Sequence, residues 1–381
     1  MVAALDFARE TRTSTSQIVQ TQYMTWDEPL QLRCGAALGP ITLAYETYGA
    51  LNAQRDNAVL VMHTLTGDAH AAGLHHPDDA RPGWWDALIG PGRGLDTTRY
   101  FVICVNVIGG CGGSTGPSSI DPATDRPYGM RFPMVTIPDM VAAQMRLLDR
   151  LGIRTLHGAI GGSMGGMQVL ELAINHPDRV RTAIMVASPA KHSAQAIAFN
   201  YIGRQAIMSD PNWRGGDYYG HQPPADGLAT ARRLAHMTYL SADRLQWRFG
   251  RDLQEGSELG YTFAPEMAIE SYLSYQGDAF TTRFDANSYL YITKALDYFD
   301  PQDGYPSLAA AAQQAQARFL IASYSSDWLY PPHESEALAE VLAQAGHSVQ
   351  YVALESPLGH DAFLLEYREF GPLVAAALAS G

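Results

Sequence analysis

Cysteine is scarce in this chain. Cys34, Cys104 and Cys111 are the three among 381 residues, too few for a disulfide framework, and none stands in a C-x-x-C pair. Basic residues are also short: 26 Lys and Arg against 39 Asp and Glu leave a net charge of −13. That balance argues against nucleic acid as a partner and offers no basic face to a membrane. An anionic substrate would have to be held by local cations or helix N-termini. No apolar run approaches about 18 residues, and the N-terminus lacks a basic flank followed by an apolar stretch. Neither a membrane span nor a secretory signal is read, and a cytoplasmic protein is expected. What is present is ample: 46% hydrophobic and 17% charged residues support a sizeable core, in one large domain with an insertion or in two domains.

Residues 159–168 read Ala-Ile-Gly-Gly-Ser-Met-Gly-Gly-Met-Gln and carry the strongest chemical signal. Gly161-Gly162-Ser163-Met164-Gly165 fits G-x-S-x-G, the sharp strand-to-helix turn that exposes a nucleophilic serine. The apolar run 156–160 predicts a buried strand before it. Helical spacing of Met167, Leu170, Leu172 and Ile174 predicts a helix after it, stopping at His176-Pro177.

Strand patterns recur at 41–48, 58–62, 100–105 and 182–187. A helix follows Thr136, with Asp139 completing a cap, Pro138 in the first turn and Gly152 closing it. Residues 1–40 read as an irregular arm with a first hairpin. After Ser188-Pro189 the character changes: 191–305 is rich in Tyr, Trp, Arg, Gln and Met, with helical patches at 228–239, 266–276 and 288–298. The strand–helix rhythm resumes at 318–323, 332–344, 348–354 and 362–378. This alternation implies an α/β fold with a mainly parallel sheet covered on both faces. The expected division is a core in 1–190 and 306–381, with a helical lid in 191–305.

A serine hydroxyl needs a base, and the base needs an orienting carboxylate. In this fold the order is serine, acid, histidine. His360 follows strand 348–354 and Asp327 follows strand 318–323, so both sit at the sheet edge that Ser163 occupies. Asp361 adjoins His360 and could hardly reach its far ring nitrogen, so Asp327 takes the orienting role. An oxyanion hole would use the amides of Met164 and of Leu65, in the loop after strand 58–62. His63, His70, His75 and His76 crowd the same loop, but no H-E-x-x-H or paired ligand spacing appears. They read as polar loop residues, and no metal is expected. The Gly109–Gly113 loop matches no nucleotide-binding pattern and is expected to shape the pocket wall. Cys104 reads as a core residue and Cys111 as a weak competitor to Ser163.

These residues resemble the homoserine O-acetyltransferases of the α/β-hydrolase type, the MetX family of methionine biosynthesis, from about Leu43 to Leu373. The matching segments include Leu65-Thr66-Gly67-Asp68, Gly109-Gly110-Cys111, Gly113-Ser114-Thr115-Gly116-Pro117-Ser118-Ser119 and Gly161 to Gly166. Others are Ala231-Arg232-Arg233-Leu234-Ala235-His236-Met237-Thr238-Tyr239, Gln276-Gly277-Asp278, Arg283-Phe284-Asp285-Ala286 and Gly359-His360-Asp361-Ala362-Phe363. The resemblance implies an α/β-hydrolase fold with a helical lid and a homodimer built through the lids. It implies Ser163 as acyl acceptor, His360 as base and Asp327 as its orienter. Arg232 and Asp361 would hold the amino-acid substrate, with Tyr239 nearby. The substrates would be L-homoserine and acetyl-CoA, the latter a co-substrate, with no cofactor. Succinyl-specific members of the family tend to carry Arg where this chain has Leu329, so acetyl-CoA is the expected donor. Transfer of succinyl or use of serine within the family, a plain esterase, and an inert binding protein are the alternatives.

Overall fold

The computed structural model describes residues 17–380 apart from 255 and 257, so the first 16 residues of the expected arm lie outside the described residues. Eight strands form one sheet: β1 (Gln22–Trp26), β2 (Ile41–Tyr48), β3 (Ala58–Met62), β4 (Phe101–Val105), β5 (Gly158–Gly162), β6 (Thr182–Val186), β7 (Arg318–Tyr324) and β8 (Val349–Leu354). Their spatial order is β1-β2-β4-β3-β5-β6-β7-β8. β2 runs antiparallel to both β1 and β4, and every pairing from β4 to β8 is parallel. The C-terminal ends of β3, β5, β6, β7 and β8 therefore meet at one edge.

Helices α1 (Ile137–Arg150), α2 (Met164–Asn175), α3 (Ala194–Ser209), α4 (Ala225–Tyr239), α5 (Ala242–Phe249), α6 (Ala268–Thr281), α7 (Ala286–Tyr298), α8 (Leu308–Ala312), α9 (Pro332–Gln344), α10 (Ala362–Leu365) and α11 (Tyr367–Ala379) complete the chain. Local chemistry sets the start of α1. Thr136 and Asp139 exchange side-chain and backbone hydrogen bonds as a capping box, with Pro138 in the first turn, which satisfies amides that the helix leaves open. Strand β3, Ala-Val-Leu-Val-Met, is apolar throughout because both its faces are covered. Leu60 and Met62 share a core with Met140 and Val141 of α1 and Met167 and Leu170 of α2. Val59 and Val61 share the opposite core with Phe370, Val374 and Leu378 of α11. Each such fully buried side chain contributes about 1.5–3 kcal/mol.

Helices α3 to α7 lie between β6 and β7, in the stretch where the composition changes, and cross the C-terminal edge of the sheet. α4 packs on both α3 and α6. Five elements differ from the pattern-based expectation. β5 covers 158–162 rather than 156–160, because parallel pairing carries Gly161 and Gly162 beside Met185 and Val186 while Leu156 keeps an isolated bridge to Val180. The expected helix 362–378 is two helices broken at Glu366 (φ −96°, ψ 47°). Within the first 40 residues, β1 joins the main sheet, beside the small hairpin Leu30–Gln31 with Ala37–Leu38. α3 and α5 fall where no helix stood out in the sequence.

Candidate active site

The turn from β5 into α2 places Ser163 in a backbone conformation that side chains other than glycine rarely adopt, φ 57° and ψ −124°, a strain that native packing must hold. The packing is visible. A Cβ on Gly161 would stand 2.2 Å from the Gly165 backbone, and one on Gly165 would stand 2.0 Å from the Met62 carbonyl oxygen. Both glycines of the motif are thus required by close approach. The Ser163 amide donates to Val186 O at 3.1 Å, and the Ser188 hydroxyl donates to Ser163 O at 2.8 Å, which locks the turn onto β6.

Ser163 and His360 line one cavity, and Asp327 sits behind the histidine. His360 Nδ1 lies 2.7 Å from Asp327 Oδ2. The other oxygen, Oδ1, accepts from the Leu329 and Tyr330 amides at 3.0 and 2.9 Å. With the acid so held, Nδ1 carries the shared proton and Nε2 is left as the base nitrogen. Burial pulls the His360 pKa down, but the Asp327 carboxylate, through its charge and its hydrogen bond, outweighs that, with a further push from Asp361. The net shift is upward. Asp361 does not bond the ring. Its amide donates to Tyr239 O at 3.1 Å and its side chain lines the cavity. Burial raises its pKa, with His360 and Arg232 acting against the rise.

Leu65 stands in the turn closed by Gly67 N donating to Thr64 O and lines the same cavity. His63 pins this turn to the core. Its Nδ1 bonds Thr64 O at 2.7 Å, and its Nε2 accepts from the Val107 amide at 3.1 Å. Burial lowers its pKa, so it serves as a neutral bracket. The Met164 amide, at the first position of α2, is one of the N–H groups that a helix leaves unpaired.

Two cavities meet at Ser163. The charged one holds Arg232, Asp361, Thr66 and His360 beside Leu65 and Tyr239. Arg232 reaches there from α4, its guanidinium over the rings of Phe280 (4.6 Å) and Tyr239 (5.5 Å) and 3.4 Å from the Thr66 hydroxyl. Its Nε is buried without a hydrogen-bond partner. The second cavity is mainly apolar, with Leu329, Ala231, Leu234, Leu296 and Tyr289 around Ser163.

The second cavity also contains groups that the sequence did not single out. Tyr330 lines this cavity together with Ser163, and its hydroxyl lies 2.7 Å from His192 Nε2. His192 Nδ1 lies 3.2 Å from Asp297 Oδ1, and Asp297 in turn pairs with Arg204 at 2.7 Å. These residues come from α3, α7 and two loop positions, so no spacing in the chain announces them.

One expectation is corrected. The 109–113 loop is not among the linings of either cavity. It folds on itself so tightly that a Cβ on Gly116 would meet Gly110 O at 2.1 Å, which is what its glycines are for. Cys111 accepts from the Asp285 amide at 3.4 Å, and burial pushes its thiol up to about 11, so it stays protonated and does not compete with Ser163.

Comparison with known proteins follows this geometry. Residues 57–367 match the alpha/beta hydrolase fold family. The homoserine O-acetyltransferase of Solidesulfovibrio magneticus is 55% identical over 355 residues, covering 92% of this chain and 89% of that one. The crystal structure of the homoserine O-acetyltransferase of Bacillus anthracis superposes with a TM-score of 0.89 at 30% identity, covering 95% of this chain and 98% of that one. The chain belongs to the homoserine O-acetyltransferase family, within the α/β-hydrolase fold. This acyltransferase family shares its scaffold with hydrolases: a solved esterase, 29% identical, superposes with a TM-score of 0.88 over 95% of this chain and all of that one. Among the described residues no helix is long and apolar enough to cross a membrane.

Proposed function

We propose that this protein moves an acetyl group from acetyl-CoA to the hydroxyl of L-homoserine, with Ser163 carrying the acetyl group between the two. In the first half-reaction Ser163 Oγ attacks the thioester carbonyl and its proton passes to His360 Nε2. The Leu65 and Met164 amides hold the oxyanion. As the tetrahedral intermediate collapses, the C–S bond breaks and CoA leaves with the proton from His360. In the second half-reaction the homoserine hydroxyl gives its proton to His360 and attacks the acetyl-enzyme. The ester forms and Ser163 recovers its proton. The steps need neither a metal nor a further cofactor.

The observation that carries this reading is the position of Ser163 between two unlike cavities. The charged one pairs Arg232 with Asp361, a guanidinium for the amino-acid carboxylate and a carboxylate for its ammonium. The apolar one, with Leu329, suits an acetyl group. Among the described residues its lining includes no Lys or Arg to meet a succinyl carboxylate, whose desolvation would go uncompensated. Helices α3 to α7 cover the serine, which favours a bound hydroxyl at high effective concentration over water. That is what divides a transferase from an esterase on the same triad.

A homodimer through the lid is part of the proposal. It is supported by exposed Ile197, Tyr201 and Ile202 along α3. A cytoplasmic place fits the use of an acyl-CoA. The test is mass spectrometry of products from acetyl-CoA or succinyl-CoA with homoserine or serine. O-acetylhomoserine should dominate, and free acetate as the main product would make the protein an esterase. With acetyl-CoA alone, one acetyl group should appear on the peptide carrying Ser163. Ser163→Ala should lose turnover by a factor on the order of 10⁴ or more.

A further inference from the structure

His70 and His75 lie on the loop that follows the Leu65 turn, and neither takes part in the reaction above. From sequence they read as polar loop residues because no H-E-x-x-H or paired ligand spacing appears there. The fold supplies one from another strand. Glu46, on β2, brings Oε2 to 2.9 Å from His70 Nδ1 and Oε1 to 2.7 Å from His75 Nε2. The two imidazole rings lie with centroids 3.9 Å apart, and the three donor atoms fall within 4.8 Å of one another. His63 and His76 stay apart from this group. The first is bonded to Thr64 and Val107, the second is largely exposed beside Asp78.

Three features make this more than a surface hydrogen-bond cluster. Glu46 is fully buried, and its oxygens are also gripped from behind. The Thr21 hydroxyl donates to Oε1 at 2.8 Å and the Tyr48 hydroxyl to Oε2 at 3.0 Å, the outer hydrogen bonding that orients carboxylate ligands in metal sites. The His75 side chain is 47% exposed, which leaves a way in from solvent and room for water as a fourth ligand. Two imidazole nitrogens and one carboxylate oxygen form a donor set suited to zinc. The remaining adjustment is small. Ligand atoms around tetrahedral zinc stand roughly 3.3 Å apart, given bonds of about 2.0–2.1 Å, so each ring would draw back by about half an ångström. Each ring would also move its proton to its other nitrogen.

We propose that Glu46, His70 and His75 form a binding site for one divalent zinc ion. The ion would tie together the segment at Thr21, strand β2 and the loop that begins at the Leu65 turn. Its role is structural; it does not touch the substrates.

The test uses the full-length protein, stripped with chelator and then dialysed against zinc chloride, with bound metal read by elemental analysis. One zinc ion per chain is expected, together with a rise in unfolding temperature. Cobalt(II) loaded in its place should give the visible absorption of a four-coordinate site. His75→Ala, at a half-exposed position, should fold and keep its acetyl transfer in chelator, yet bind zinc roughly 100-fold more weakly or worse. His70→Ala is the second arm, checked by its circular dichroism and elution volume. The proposal is overturned if the stripped protein takes up no zinc. It is equally overturned if His75→Ala and His70→Ala bind zinc as the unaltered chain does, which would place the metal elsewhere.

Discussion

In the proposed reaction, Arg232 is the residue on which acceptor recognition would turn. It crosses the cavity roof with its Nε buried and unpartnered, as a cation does when it awaits a carboxylate. Arg232→Ala should leave CoA release from acetyl-CoA largely intact and reduce kcat/KM for homoserine by roughly 2–5 kcal/mol, the usual effect of leaving one member of a buried charge pair alone. Stopped-flow measurement of each half-reaction separates the two, and equal losses in both would assign Arg232 to the donor or to the fold. His360 gives a second prediction, with a definite sign. The base must be neutral to accept a proton, and Asp327 raises its pKa above 6.5 despite burial. Activity should therefore fall as pH drops through a midpoint above 6.5, and the CoA burst measured between pH 5 and 9 should show that limb. A midpoint below it would mean that burial wins. Ser163, His360 and Asp327 were legible in the sequence because a strained turn needs glycines at fixed spacing and because parallel strands deliver their C-terminal loops to one edge. Arg232 was visible only through family resemblance. Tyr330, His192 and Asp297 were not visible, since what joins them is the third dimension.

Among the elements, the loop carrying His360 is fixed by its contact with the lid. Gly359 has φ +80°, and a Cβ there would stand 2.5 Å from the Ser241 amide nitrogen. The Gly359 amide donates to the Ser326 hydroxyl at 2.9 Å. Gly359→Ala should therefore displace the base by a fraction of an ångström to an ångström. A loss of about 100-fold in kcat is expected, with a lowered unfolding temperature by calorimetry. Full activity in this variant would show that the loop has another support. The same physics explains which elements the sequence revealed. β3 and the helix after Thr136 announce themselves through an apolar run and a capping box. β1 does not, because it is an edge strand with largely exposed or half-exposed residues and needs only β2 to pair with. α5 is short and mostly solvent-facing. β5 was displaced by two residues because glycines weaken a strand pattern even where the turn beyond demands them.

For the whole molecule, the α3 face with Tyr201 (56% exposed) and Ile202 (52% exposed) is the surface on which the proposed dimer would rest. Light scattering should give twice the chain mass, and Tyr201→Glu with Ile202→Glu should move it toward the single-chain value with Ser163 acetylation retained. A single-chain mass for the unaltered protein would remove the dimer. The lid has a second relation to the core, at its α4–α5 junction. The Tyr239 carbonyl accepts from the Asp361 amide, and the Leu240 carbonyl accepts from Trp328 Nε1 at 3.0 Å. The Ser241 hydroxyl donates to the Pro357 carbonyl. One short stretch of lid backbone thus grips both loops that carry the acid and the base. Replacing this lid wholesale with another would misalign the proton relay along with the substrate pocket. A change of acceptor is therefore better sought through side chains projecting from an unaltered α4 than through exchange of modules. Over evolutionary time the same constraint would couple the history of the insertion to that of the catalytic loops.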